Sequence, residues 1–426
     1  MHQLLRTIQA DMKPALGVTE PGAIAYAAAR ARAHAPGEIR RVAILADSGI
    51  YKNAFTCGIP GSVQTGAVYA AALGVTGGDP GLGLEVLDAV TDADRAEADR
   101  LVAAGKVTAR LRNIASEIYL EATVETDAHT CTVCIAHTHL GVTKIEQDGA
   151  VIFEQAVQAA ASEEQPAEIH RYSFDQLFEL AKTAPVEELD FLRRAHAVNL
   201  ALFETGLASD RTVFTHHFLQ KNGGVRISND ALATAQLLTC GALEARVLGL
   251  NAPAMSLTGS GAHGILATLP LYAWQQVRGC SEEALLRATA LSAMVTTYIK
   301  EYSGRLSAFC GCAIASGTGT ACGMTLLRDG NAEDAARAIR NMASSVTGMV
   351  CDGGNHGCTM KGVVAVDAAY RSAELALAGI AIGPEHGING RTPEETMEFM
   401  GRIADPGMVQ TEGVILDILR RKSGAS

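Results

Sequence analysis

The chain has 426 residues, 48% of them hydrophobic and 19% charged, and 35 basic against 46 acidic side chains leave a net charge of −11. That acidity argues against a nucleic-acid backbone or an anionic membrane as the main partner. The apolar content excludes a disordered chain, and no run approaches the ~18 apolar residues of a membrane span. The opening MHQLLRTIQADMK lacks the apolar core of a secretory signal, so the expectation is a cytoplasmic protein, long enough for two domains.

In chain order, residues 1–34 read as helix, with Thr19 as N-cap, Pro21 in the first turn and an alanine-rich continuation. RRVAILADS, near 40–48, has the apolar run of a strand, and YKNAFTCGIPG follows as a loop. Residues 63–76 and DADRAEADRLVAAG again predict helices, the second ending near Gly105. From 106 to 153 the pattern alternates, which implies a small antiparallel sheet; the Cys131-Cys134 pair falls on one of its strands and points to opposite faces. The polar SEEQPAE, 162–168, marks a domain boundary. Beyond it Ser281 and Asn331 cap two helices, and Ala335, Ile339, Met342 and Val346 form one apolar stripe of the second. The expected fold is α+β: a mixed α/β N-terminal domain (1–165) with the small sheet, then a mainly helical domain (166–426) carrying glycine-rich loops.

Two composition features point to chemistry. The 43 glycines cluster in runs such as GSGAHG and CDGGNHG, where backbone must turn sharply or approach something closely. Ten cysteines in a cytoplasmic setting favour packing or metal over disulfides. Cys351 and Cys358 flank one glycine-rich segment, and Cys310, Cys312 and Cys322 lie about forty residues earlier. One thiol from the earlier loop with Cys351 and Cys358 makes a three-cysteine set, which suits an iron–sulfur cluster with one iron left open. Buried structural cysteines are the competing explanation.

The sequence resembles the iron–sulfur L-cysteine desulfidases and, more distantly, the iron–sulfur L-serine dehydratases. The resemblance rests on ALGVTEPGAIAYAAA (15–29), YKNAFTCGIPG (51–61), ALGVTGGDPGLGLEVL (72–87), MSLTGSGAHGILATLPL (255–271), LSAFCGCAIASGTG (306–319) and GMVCDGGNHGCTMK (348–361), in order along nearly the whole chain. It implies a [4Fe–4S] cluster on Cys351, Cys358 and one of the CysGlyCys pair, Cys312 being favoured over Cys310. It implies elimination from a small amino acid of the cysteine or serine type, giving a 2-oxo acid, ammonia and sulfide or water. That chemistry needs a base for the α-proton and a Lewis acid at the leaving group.

Three departures from the family pattern fall in the site motifs. Val18 stands where the family has cysteine, and Cys57 is proposed to replace that thiol. His263 and His356 appear in loops where the family carries Asn-Gln and lysine. Lys52, His137, His263 and His356 are the further catalytic candidates beside Cys57. Glu20, Asn53, Ser260, Gly261 and Lys361 are the substrate-binding ones, with the Ser260 loop offering backbone N–H groups to a carboxylate. His139 reads as a strand-end surface residue. A homodimer is the generic expectation for such an enzyme. The competing functions are a cluster-carrying sensor or binding protein without lyase activity, a dehydratase of a different β-substituted acid, and a zinc hydrolase using the histidines.

Overall fold

The structure, a computed structural model, describes residues 2–115, 117–155, 167–304, 306 and 308–422. Eight strands appear among them: β1 (Pro14–Leu16), β2 (Ile39–Ala46), β3 (Val107–Leu111), β4 (Tyr119–Thr126), β5 (Thr130–Ala136), β6 (Val142–Gln147), β7 (Ala150–Glu154) and β8 (Pro253–Met255). The fold is mixed α+β, with the sheet in the N-terminal half and helices filling the C-terminal half.

The larger sheet has the order β3-β2-β4-β5-β6-β7. Its last four strands form antiparallel ladders, as the alternating sequence requires. In β4 and β5 every second residue is buried, so Leu120, Ala122 and Val124 meet Cys131, Val133 and Ile135 in one apolar layer. Cys131 faces that layer while Cys134 lies on the other face. The expectation of a purely antiparallel sheet needs one correction, since β3 runs parallel to β2. The chain returns to the sheet through the helices Ser48–Asn53, Gly66–Gly77 and Asp92–Ala103, and a long crossover of that kind permits a parallel pair. The helices Thr19–His34 and Gly66–Gly77 cover the inner face of the sheet.

The second core is helical. Ser281 accepts from the Ala284 N–H, and Asn331 forms a reciprocal capping box with Asp334, so both predicted starts are chemically satisfied. Ala335, Ile339, Met342 and Val346 are buried on one face, as their spacing requires. The chain's first helix, Gln3–Asp11, also packs here through Leu4, Leu5 and Ile8. The predicted continuous helix over 1–34 is interrupted by β1, and the second helix starts at Thr19 with Val18 at its N-cap. Pairing of β1 with β8 ties this N-terminal segment to the helical core, Pro14 opposite Met255 and Leu16 opposite Pro253. Most of the expected boundary, residues 162–166, lies outside the described residues. No helix among the described residues is long and apolar enough to cross a membrane.

Candidate active site

The two cores meet at a cavity whose walls come from eight separate stretches of chain. From the sheet side, Glu20 enters in the first turn of Thr19–His34, where the helix N-terminus favours a carboxylate. Its carboxylate accepts from Asn53 Nδ2 at 2.8 Å and from Thr19 Oγ1 at 3.1 Å. His139 Nε2 stands 3.8 Å from Oε1, the same oxygen that accepts from Asn53. Burial alone would raise the pKa of Glu20, but His139, Asn53 and Arg246 outweigh it and hold the value at about 2. Asn53 Oδ1 in turn lies 3.9 Å from Cys351 Sγ, so one amide links the acidic wall to the thiols.

The thiols are brought together by two loops stitched to one another. Phe309 and Val350 form an isolated antiparallel bridge. Around it the Cys310 N–H donates to the Met349 carbonyl at 3.1 Å and the Cys351 N–H to the Ala308 carbonyl at 2.6 Å. Cys310 and Cys312 Sγ are 3.5 Å apart, and Cys312 opens a π-helical turn, Cys312–Ser316, of the kind that often marks functional sites. Cys358 lies at the start of the helix Gly357–Leu377, its Sγ 3.4 Å from the Gly353 carbonyl. Burial pushes the Cys351 thiol up, and it pushes Cys358 to about 12 with Cys351 adding to the effect; Lys361 opposes the rise at both. Lys361 is itself fixed by an ion pair with Asp352. Four thiols, those of Cys310, Cys312, Cys351 and Cys358, therefore line one cavity, and the Lys361 cation in the same lining favours the ionised form of Cys310, Cys351 and Cys358.

His263 sits behind the CysGlyCys turn. Its Nδ1 lies 3.1 Å from the Leu257 carbonyl and 2.6 Å from Thr258 Oγ1. A carbonyl only accepts, so Nδ1 carries the proton and Nε2 keeps its lone pair. Burial and the charge of Lys300 lower its pKa to about 3, which keeps the ring neutral. Gly311 is required by this packing, because a Cβ there would come within 2.5 Å of His263 Nε2.

The structure thus gathers Glu20, Asn53, Ser260, His263, Lys361, Cys312, Cys351 and Cys358 around one space, with Cys310 also present. Other expected site residues fall elsewhere. Lys52 is buried and bonded to Glu412 at 2.6 Å; it does not line the cavity but packs behind Gly353, where its charge favours the ionised form of Cys351. Cys57 is fully buried in a small apolar cluster with Val18, Val247 and Cys358; burial and the Glu20 charge hold its thiol protonated, and it does not line the cavity. His137 is exposed at the end of β5 with a left-handed φ of 67°, and His139, two residues on, enters the cavity instead. His356 is exposed against Phe214, their ring centroids 5.9 Å apart. Gly261 lies just behind the lining, packed on Arg246. Arg246 and Lys300, both about 5% exposed and both in the lining, are the residues that sequence patterning missed.

The sequence places these cores and this cavity in a serine-dehydratase-like enzyme family. The chain belongs to the serine dehydratase alpha chain family, whose profile matches residues 82–417. It is 37% identical over 426 residues to a UPF0597 protein of Clostridium botulinum (strain Langeland), covering 99% of each chain. A UPF0597 protein of Caldanaerobacter subterraneus is 34% identical over 418 residues, 97% of each chain. One from Oleidesulfovibrio alaskensis is 36% identical over 414 residues, 97% of this chain and 96% of that one.

The environment of Glu20 has a measurable consequence. A carboxyl moved from 4.5 to about 2 on folding contributes roughly 3 kcal/mol of stability. Because the folded pKa is depressed, that contribution is fully present above pH 4.5 and is lost as pH falls through about 2. Glu20→Gln is therefore expected to flatten the acid limb of the stability curve, measured by urea unfolding from pH 5 to 2. Identical limbs in the two chains would contradict the assignment.

Proposed function

We propose that the chain is an iron–sulfur-dependent lyase that removes the β-hydroxyl or β-thiol and the α-proton of a small amino acid. The observation that carries this reading is the convergence of Cys310, Cys312, Cys351 and Cys358 beside a neutral histidine and an ionised glutamate. Membership of the serine dehydratase alpha chain family supports the same reaction class.

The donor set fits a [4Fe–4S] group. The three candidate ligands and the neighbouring Cys310 are all thiols, the donors that iron–sulfur centres use. Cys312, Cys351 and Cys358 would hold the cluster, with Cys310 beside them. The chemistry such a group supplies is Lewis acidity at the leaving hydroxyl or thiol. The chain's own residues do the rest. Glu20, kept ionised, receives the substrate ammonium, and Asn53 holds that carboxylate at a fixed distance from Cys351. His263 takes the α-proton at Nε2, the nitrogen that faces the CysGlyCys turn. Loss of the α-proton and the β-group leaves an enamine, which tautomerises and hydrolyses to a 2-oxo acid and ammonia; serine yields water and cysteine yields sulfide.

Val18 occupies the family's cysteine position and is buried at the cavity edge, packed against Gly354. A valine there adds no thiol, so cysteine and serine both remain candidate substrates. The test is purification and cluster reconstitution without oxygen, followed by assays on L-cysteine, L-serine and L-threonine. Formation of 2-oxo acid from at least one of them is expected. A fully loaded protein inert toward all three overturns the reading in favour of a cluster-carrying sensor.

A further inference from the structure

We infer that Arg246, together with the first turn of the helix Gly261–Arg278, forms a carboxylate site that confines substrates to α-amino acids with a free carboxyl group. This inference rests on the lyase reading above and names the specificity element within it.

Arg246 is a buried guanidinium, 5% exposed, near the end of the almost wholly buried helix Ala231–Val247. It lines the cavity, and its Nε has no hydrogen-bond partner among the described residues. A buried cationic donor without an acceptor is costly, and a native chain keeps one where an anion completes it. Glu20 is the carboxylate of this cavity, yet its hydrogen bonds run to Asn53 and Thr19. An acceptor for Arg246 must come from elsewhere.

A second feature converges on the same spot. The helix Gly261–Arg278 is eighteen residues long, and Ser260 at its N-cap makes no side-chain capping bond. Its first N–H groups have no intrahelical partners and concentrate positive potential. Thr258, Gly259, Ser260, Ala262 and His263 present that turn to the cavity. Arg246 packs directly against it, since a Cβ on Gly261 would come within 2.8 Å of Arg246 Nε and 3.2 Å of its Cδ. An unpaired guanidinium and an uncapped helix start thus share one corner.

The charge layout separates this corner from the thiols. Arg246 packs against the Gly261 turn with its Nε unpaired, whereas Lys361, the cation of the cysteine loop, is already paired with Asp352. Arg246 therefore belongs to the organic part of the substrate. With Glu20 as the opposite pole, the cavity reads a zwitterion: ammonium at Glu20, carboxylate at Arg246. Amino-acid amides lack the pole that Arg246 requires.

The test uses the full chain, loaded with its cluster and kept from oxygen, titrated calorimetrically with L-alanine, an amino acid with no leaving group, and with L-alaninamide. L-Alanine is expected to bind, and L-alaninamide about tenfold or more weaker, as loss of a charge-assisted pair implies. Arg246→Gln is expected to weaken L-alanine binding about tenfold or more with its iron and sulfide content unchanged, and Arg246→Lys to recover part of the loss. Equal binding of L-alanine by Arg246→Gln and the parent chain overturns the inference, as does equal binding of alanine and its amide by the parent. The comparison on the parent chain decides the matter should the glutamine variant not fold. Binding of L-alanine through Arg246 without turnover of any amino acid would sink the lyase reading and leave the carboxylate site standing; turnover without this dependence does the reverse.

Discussion

Replacing Glu412 with leucine is expected to lower the unfolding free energy by about 3–5 kcal/mol, the usual cost of breaking one side of a buried ion pair. Glu412 is 4% exposed, in the first turn of the C-terminal helix Val409–Lys422, and Lys52 is 1% exposed at 2.6 Å from it. The loss arises because the variant takes the carboxylate of this pair away from a buried ammonium. Against a total stability of about 5–15 kcal/mol, such a change is large. The double variant Lys52→Met/Glu412→Leu, which removes both charges and keeps the apolar volume, is expected to recover most of it. Denaturant unfolding of the four chains in the cycle measures the coupling. A single-variant loss below about 1 kcal/mol would place the pair among weak surface bridges and contradict its buried geometry.

The second large effect concerns the thiols. Cys351→Ser and Cys358→Ser are each expected to strip the protein of iron and of lyase activity. Loss of a partner that only orients a metal ligand costs about 10–100-fold, so loss of a ligand itself should exceed about 100-fold. Cys57→Ala, behind Cys358 and outside the cavity, is expected to keep both iron and activity within about twofold of the parent. Cys312→Ala is expected to behave like the Cys351 and Cys358 variants, and Cys310→Ala like the parent, although their sulfurs are neighbours at 3.5 Å. Iron and acid-labile sulfide content with the visible spectrum, all measured without oxygen, are the readouts. Full iron occupancy in Cys351→Ser would refute the assignment.

Local chemistry made much of the molecule legible. The capping side chains of Ser281 and Asn331, the alternation through β4 and β5 and the opposite facing of Cys131 and Cys134 all follow from periods of two and 3.6 residues. Recognition of spaced motifs also placed the cluster-loop cysteines together, although about forty residues separate them. What it missed depends on direction. Lys52 and Asn53 were read as neighbours on a loop, but they lie on the short helix Ser48–Asn53, where successive side chains diverge by about 100°. One meets Glu412 while the other meets Glu20. The histidine pair shows the same effect, because the left-handed residue at His137 ends the strand, itself exposed, while His139 enters the cavity. Arg246 had a signal that went unused. In GALEARVLGL two charges interrupt an apolar helix; Glu244 satisfies the N–H groups of Phe214 and Thr215, and Arg246 faces the cavity.

The small clasp between β1 and β8 joins two distant parts of the chain beside the reaction chamber. Leu16 ends one strand two residues before Val18, and Met255 ends the other five residues before Ser260. Because the pairing is antiparallel, with Pro14 opposite Met255 and Leu16 opposite Pro253, the two stretches leave the clasp at opposite ends. One runs on to the Thr19–His34 helix and the other to the Ser260 turn, so a single short pair of backbones anchors two walls of the chamber, and loosening it would disturb both at once.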